Sequence, residues 1–194
     1  GNDEKTFREL SGDIVQPDYD KAKEFLEKGL EEIGELPKIE LLTADDTVAK
    51  DTATFLQSEF KKNLNVDVDI TTKPYSGRIE TMRESDYVMG ISRWGADYND
   101  PMDILSLWDG DPLSGLRGNY FNEKYKRLID DASNESDEEK RLKMLIEAEH
   151  IMLEDDGTLG PLYFEGKAYL QKPHVKNLII HPYGASLELK FVKI

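Results

Sequence analysis

Residues 38 to 70 read KIELLTADDTVAKDTATFLQSEFKKNLNVDVDI and predict a strand, a helix and a second strand. The run 38–43 is short and apolar, and the run 66–70 alternates β-branched with polar residues, as a half-buried strand does. Asp45 or Asp46 can cap the helix between them. The apolar stripe of this helix is expected to be buried and consists of Val48, Thr52, Phe55, Leu56 and Phe60.

The same alternation of elements extends to both sides of this stretch. Upstream, a helix is predicted over 19–33, with Asp18 or Asp20 as its cap and Gly34 at its end. Downstream, a short helix over 76–82 precedes a third strand over 87–91. Strands that alternate with helices within about sixty residues are typical of an α/β layer with parallel strands.

The remainder of the chain is less regular. Residues 1–16 are polar and lack a usable period, which predicts a connector, and turn signals occur at 109–112 and 114–115. Asn122 can cap one helix, and Ser136 with Glu139 has the spacing of a capping box for another. Short β-rich runs are predicted to form strands at 162–164, 175–180 and 187–194.

Composition excludes several classes of function. A net charge of −15 repels phosphate backbones, so no nucleic-acid partner is expected. The chain has no cysteine, which removes thiol catalysis and disulfides, and it shows no signal-peptide pattern and no apolar run approaching about 18 residues. The histidines, His150, His174 and His181, lack metal-ligand spacing. No metal, cofactor or catalytic residue is predicted.

Residues 94–101, WGADYNDP, follow the third strand candidate directly and predict a binding rim. Ligands of parallel sheets gather at the carboxyl ends of strands, and this segment offers aromatic rings and acceptor groups at such an end. Three alternatives remain: Asp97 and Asp100 could form an acid–base pair, Asp97 could cap a turn, or Trp94 could pack in the core. Arg93 could bind a ligand carboxylate or, more readily, a neighbouring acid.

Residues 94–101 resemble the binding-strand signature of the extracellular solute-binding proteins that serve ABC importers of oligopeptides and dipeptides. Further segments resemble this family in the same order: 19–26, 120–132, 147–163 and 172–178. The resemblance implies an α/β fold, with residues 17–194 as a periplasmic-binding-protein-like lobe that has a central mixed sheet and helices on both faces. The partner lobe, formed by the N-terminal part of such receptors, would be absent from this chain.

The resemblance also implies a function and a set of site residues. A non-enzymatic receptor would bind extracellular peptides and deliver them to membrane permease subunits, as a cell-surface lipoprotein or a periplasmic protein. Asp97 would pair with the α-amino group of the peptide, Trp94 would lie beside it, and main-chain groups near Gly95 would bind it as an added strand. Tyr98 and Arg93 complete the candidate set.

The segment departs from some peptide receptors in one respect. Those receptors carry a basic residue two or three positions before the tryptophan, where this chain has Ile91 and Ser92. Two other functions are weighed against a receptor: an exported acidic structural or interaction domain, which would bury Trp94 and occupy Asp97 with backbone amides, and a hydrolase that uses the Asp97 and Asp100 carboxylates.

Overall fold

The computed structural model describes residues 5–110 and 119–194, which fall into two compact units. The sheet unit comprises Gln16–Arg93 and Gly110–Phe121, and the helical unit comprises Gly1–Val15, Trp94–Asp109 and Asn122–Ile194. The turn signals predicted within 111–115 lie outside the described residues. The division into a connector over 1–16 and a lobe over 17–194 stays a prediction. The candidate rim, 94–101, belongs to the helical unit.

The elements are numbered in chain order. The helices are α1 (Phe7–Ser11), α2 (Tyr19–Ile33), α3 (Thr47–Leu64), α4 (Tyr75–Arg83), α5 (Met102–Leu105), α6 (Glu123–Asn134) and α7 (Glu138–His150), with a 3-10 turn at Ser106–Trp108 and a π-helical turn at Ile151–Asp155. The strands are β1 (Ile39–Ala44), β2 (Val68–Lys73), β3 (Met89–Gly90), β4 (Ile179–Ile180) and β5 (Leu187–Glu188). Among the described residues, no helix is both long and apolar enough to cross a membrane.

The sheet unit is built on three parallel strands in the order β2-β1-β3. Leu41 of β1 is in register with Ile70 of β2 and with Met89 of β3. The parallel α/β class predicted from the alternating elements is therefore confirmed. The antiparallel pair β4 and β5 forms a separate sheet, so the described strands do not make one mixed sheet.

Helices cover both faces of the parallel sheet, as the family resemblance implies. On one face Leu41 and Val68 pack in a buried cluster with Ala53 of α3. On the other face Gly90 is in register with Leu42, and a Cβ atom at Gly90 would lie 3.5 Å from Cε of Met82 in α4. Helix α3 therefore packs on one face of this sheet and α4 on the other.

The predicted buried stripe of α3 is wrong in part. Ala49 and Ala53 are the buried residues of this helix, whereas Val48 is exposed and Phe55 is 62% exposed. Small side chains let the helix backbone approach the sheet closely, and the large residue at 55 lies outside that contact. The helical bounds predicted for α2 are confirmed, with Asp18 as its cap and Gly34 at its end.

The helical unit is centred on α6 and α7. Asn122 caps α6 as predicted, but the cap of α7 is Asp137, whose carboxylate accepts a hydrogen bond from Lys140 N at 3.1 Å. The capping box expected from Ser136 is wrong, because the residue that caps the helix is the next one along the chain. Tyr125 and Leu145 are fully buried in this unit.

Two other segments of the helical unit differ from expectation. Residues 7–11 form α1, begun by a capping box at Thr6, and Arg8 of this helix pairs with the buried carboxylate of Glu149. A helix of five residues is too short to show an apolar period, so the sequence did not indicate α1. In the tail, the run 162–164 forms no strand, while β4 and β5 lie inside the predicted runs 175–180 and 187–194.

Candidate functional site

The segment before the candidate rim leaves the sheet at the carboxyl end of β3. Ile91 N donates a hydrogen bond to Leu42 O at 2.9 Å, which extends the pairing with β1 by one residue. The buried Arg78 of α4 donates from Nη1 to Ile91 O, also at 2.9 Å. Hydrogen bonds of the Ile91 N–H and C=O groups therefore fix the path of the chain as it leaves the sheet.

Asp103 holds the first half of the rim. Its Oδ2 atom accepts hydrogen bonds from Trp94 Nε1 at 3.2 Å and from Asp97 N at 3.1 Å. The residue is only 5% exposed. One buried carboxylate oxygen thus links the indole ring to the backbone of the candidate anchor.

Asp100 holds the second half of the rim. Both of its carboxylate oxygens accept hydrogen bonds from Arg141 of α7, and Oδ1 also accepts one from Met102 N at 2.8 Å. Burial alone would raise the pKa of Asp100, but the hydrogen bonds from Arg141 and Met102 and the positive charge of Arg141 lower it below its ordinary value. Asp100 is therefore a charged structural residue.

The middle of the rim is held by the tail of the chain. Gly184 N donates to Ala96 O at 2.9 Å, and Gly184 has a positive φ of 62°. A Cβ atom there would lie 3.2 Å from Asp97 O, which favours glycine at this position. Gly95 differs from its neighbours: within residues 5–110 and 119–194 its peptide groups form no hydrogen bond, and no atom lies within 4 Å of a Cβ placed on it.

Three side chains of the rim, those of Trp94, Asp97 and Tyr98, are exposed to solvent at least in part. Trp94 is 48% exposed and Tyr98 is 51% exposed. The Asp97 side chain is also exposed, and in the described part of the chain its carboxylate has no hydrogen-bond or ion-pair partner. The rim is therefore a fixed backbone that presents one unpaired carboxylate between two half-exposed rings.

Residues 2–114 match the family model described as the middle part of bacterial extracellular solute-binding proteins, family 5. The chain belongs to this family. Membership places it among solute-binding proteins that act outside the cytoplasm, and the resemblance that residues 94–101 suggested is confirmed.

Individual members of family 5 show the same similarity. The dipeptide-binding protein DppE of Bacillus subtilis is 32% identical over 185 residues, which make up 94% of this chain and 34% of the relative. The substrate-binding domain of an oligopeptide ABC transporter from Bacillus anthracis matches 100% of this chain and 38% of its own at 31% identity, with a TM-score of 0.91. OppA of Listeria monocytogenes, solved bound to peptide, matches 100% of this chain and 37% of its own at 29% identity, with a TM-score of 0.87. The chain spans about a third of the length of the curated relatives it matches.

Arg93 belongs to the sheet unit, and its Nη2 atom lies 2.7 Å from Asp46 Oδ2. Asp46 also accepts a hydrogen bond from Ala49 N at 3.0 Å as the cap of α3. This amide, together with the Arg93 charge, lowers the pKa of the Asp46 carboxyl. Of the two roles considered for Arg93 from the sequence, the structure has the ion pair with a neighbouring acid.

The two alternatives to a family 5 receptor are not favoured. An acid–base pair needs one carboxyl that holds a proton near neutral pH, whereas Asp100 is bound by Arg141 and its pKa is lowered. A structural domain was expected to bury Trp94 and to occupy Asp97 with amides, and neither feature is present among the residues that the structure describes. Within the described residues no group of three or more His, Asp or Glu side chains could hold a metal ion.

Sequence reasoning missed the three residues that hold the rim, which are Asp103, Arg141 and Gly184. Asp103 stood in a run interpreted as irregular, and its role depends on a turn that brings it back beneath Trp94. Arg141 and Gly184 act from far along the chain, and their spacing from the rim carries no local signal. Only the folded arrangement identifies them.

Proposed function

We propose that this chain is the peptide-binding lobe of an ABC-importer receptor in which Asp97 accepts the α-amino group of the ligand. The observation that carries the proposal is the Asp97 carboxylate, which is exposed and has no partner among the described residues, whereas the neighbouring acids Asp100 and Asp103 are engaged in hydrogen bonds. An ammonium group would supply the missing partner through a charge-assisted hydrogen bond.

The main chain at Gly95 is the second proposed contact. Its N–H and C=O groups and the open space in front of it suit an extended peptide added as a strand, while Ala96 O and Asp97 N are already used internally. Main-chain contacts accept peptides of any side chain. Trp94 and Tyr98 would cover the ligand backbone, and Arg93 is not among the proposed contacts because its guanidinium binds Asp46.

A second lobe and a membrane partner complete the proposal. Closure of two lobes would remove water from the Asp97–ammonium pair and strengthen it, and the closed receptor would deliver intact peptide to permease subunits. The names of the relatives, which are dipeptide- and oligopeptide-binding proteins, support this class of ligand. The complete receptor is proposed to be periplasmic or anchored as a lipoprotein, and to lack enzymatic activity.

Calorimetry on the complete receptor tests the amine anchor through a cycle of four measurements. Unmodified receptor and Asp97→Asn are each titrated with a peptide and with its N-acetylated form. A hydrogen bond between charged groups that is lost on either change lowers affinity by about 10- to 100-fold. Acetylation should cause no further loss in Asp97→Asn. The control is Asp131→Asn, which removes an equal charge from an exposed position of α6 and should leave affinity unchanged.

Two outcomes would contradict the proposal. Equal affinity of the unmodified receptor for free and acetylated peptide would contradict the role of Asp97 as an amine anchor. Cleavage of the peptide during titration would show that the protein is a hydrolase and not a receptor. The 194-residue chain alone should bind peptide no more tightly than about millimolar, since an exposed charge pair contributes little.

A further inference from the structure

Asp103 is the buried acid beneath the rim, and one of its oxygens serves two residues at once. Trp94 Nε1 and Asp97 N both donate to Oδ2, at 3.2 and 3.1 Å. We propose that Asp103 is a positioning residue that sets the indole ring and the amine anchor in their ligand-ready orientation before a peptide arrives. This inference rests on the proposed function of Asp97.

Asp103 is itself held in place. Its N–H donates to Asp100 O at 3.1 Å, and the Asp100 carboxylate is held by Arg141 at 2.8 and 2.9 Å. A connected set of hydrogen bonds therefore runs from α7 to the rim, and all of it lies in the helical unit. Asp103 is the only member of this set, within the described residues, that touches both Trp94 and Asp97.

Stability alone does not account for Asp103. Within residues 5–110 and 119–194 no cation pairs with its carboxylate, although the residue is 5% exposed. A buried carboxylate without a cationic partner is costly, and an apolar residue of similar volume would avoid that cost. The hydrogen bonds from Trp94 and Asp97 are the favourable contacts that the structure shows for the Asp103 carboxylate.

The benefit of this arrangement is a lower entropic cost of binding. The hydrogen bond from the indole to Asp103 restricts the rotamers of the half-exposed Trp94 side chain, so a ligand meets a ring that is already oriented. Fixing one side chain in advance corresponds to an affinity gain of about two- to tenfold. The Asp97 backbone bond adds to this by fixing the point from which the anchor carboxylate extends.

Because both hydrogen bonds reach the same oxygen, an amide oxygen can replace it. We expect Asp103→Asn to keep peptide affinity within about threefold of the unmodified receptor, whereas Asp103→Leu, which fills the space without an acceptor, should lose about tenfold or more. The control is Glu149→Gln, which changes another buried carboxylate of the helical unit and should alter stability without altering affinity. An Asp103→Leu receptor that folds and binds as tightly as the unmodified one would overturn the proposal.

A second measurement needs no ligand. In a proton–nitrogen NMR spectrum of the 194-residue chain, which has two tryptophans, the Trp108→Phe variant retains one indole N–H signal, that of Trp94. We expect slow solvent exchange of this proton in the unmodified protein and in Asp103→Asn. Exchange as fast as that of free indole in the unmodified protein would overturn the proposal even if Asp103→Leu failed to fold. Failure of the proposed function has a different signature, in which the unmodified receptor binds no peptide while the indole proton stays protected.

Discussion

Arg141 binds Asp100 through two parallel hydrogen bonds, from Nη1 to Oδ2 at 2.9 Å and from Nη2 to Oδ1 at 2.8 Å. This two-pronged geometry ties the rim to α7 and uses both oxygens of the only rim acid that is partly buried at its side chain. The pair thereby separates the roles of two acids three positions apart. Asp100 supports the segment, and Asp97 is left to face solvent.

The Asp100–Arg141 pair should make stability depend on pH. Asp100→Asn keeps an oxygen for Met102 N but loses the charge, so at neutral pH it should lower the free energy of unfolding by about 1 to 2 kcal/mol. The folded state lowers the pKa of Asp100 below 3.8, so the pair contributes above about pH 4 and is lost as pH falls through the lowered pKa. Urea unfolding at pH 7 and at pH 2.5 measures the difference between the two proteins, and an equal difference at both values would contradict the ionised pair.

Tyr125 should depend on its hydroxyl. The residue is fully buried in α6, and its hydroxyl donates to Leu105 O at 2.7 Å. Tyr125→Phe keeps the packing but leaves this carbonyl without the donor, which should lower the free energy of unfolding by about 1 to 3 kcal/mol. Tyr169→Phe, at a partly exposed tail position, is the control and should change stability by less than about 0.5 kcal/mol. Equal melting temperatures of the two variants would show that the buried hydroxyl contributes nothing to stability.

Asn122 should act as a cap that also needs its amide donor. Its side-chain oxygen accepts from Lys124 N and Tyr125 N, and its nitrogen donates to Asp156 Oδ2 at 2.8 Å. Asn122→Ala should lower the free energy of unfolding by about 1 kcal/mol or somewhat more. Asn122→Asp retains the cap oxygen but places a second negative charge beside Asp156, so it should recover only part of the loss near pH 7. Full recovery, measured by urea unfolding, would exclude the bond to Asp156 as a contributor.

Substitution by alanine should affect stability at one glycine and not at another. A Cβ atom at Gly90 would lie 3.2 and 3.3 Å from ring atoms of Tyr87, so Gly90→Ala should destabilise the sheet unit by about 1 to 3 kcal/mol. At Gly95 no atom lies within 4 Å, so Gly95→Ala should leave the unfolding free energy within about 0.5 kcal/mol. In the complete receptor, however, Gly95→Ala should weaken peptide binding, because the methyl group occupies the space proposed for the ligand backbone. Unchanged affinity in calorimetry would exclude close approach at this position.

The local elements were predictable because their signals are local. The bounds of α2 and the Asn122 cap of α6 follow from apolar spacing and from residues that satisfy free amides within one turn. The burial of α3 was less predictable. Phe55 belongs to the apolar stripe by spacing, but the helix meets the sheet through Ala49 and Ala53 because only small side chains permit that close approach.

By itself the sequence determined the alternation of strands and helices, the parallel class that follows from it, and the segment 94–101 at the end of the third strand. Each of these depends on periodicity, on turn chemistry or on a motif of adjacent residues. Tertiary structure alone decided which acids of that segment are engaged. Arg141 and Gly184 reach it from far along the chain, and Asp103 reaches it through a turn. Packing that brings distant residues within hydrogen-bonding distance has no signature in local spacing, and this packing leaves Asp97 as the rim carboxylate without a partner among the described residues.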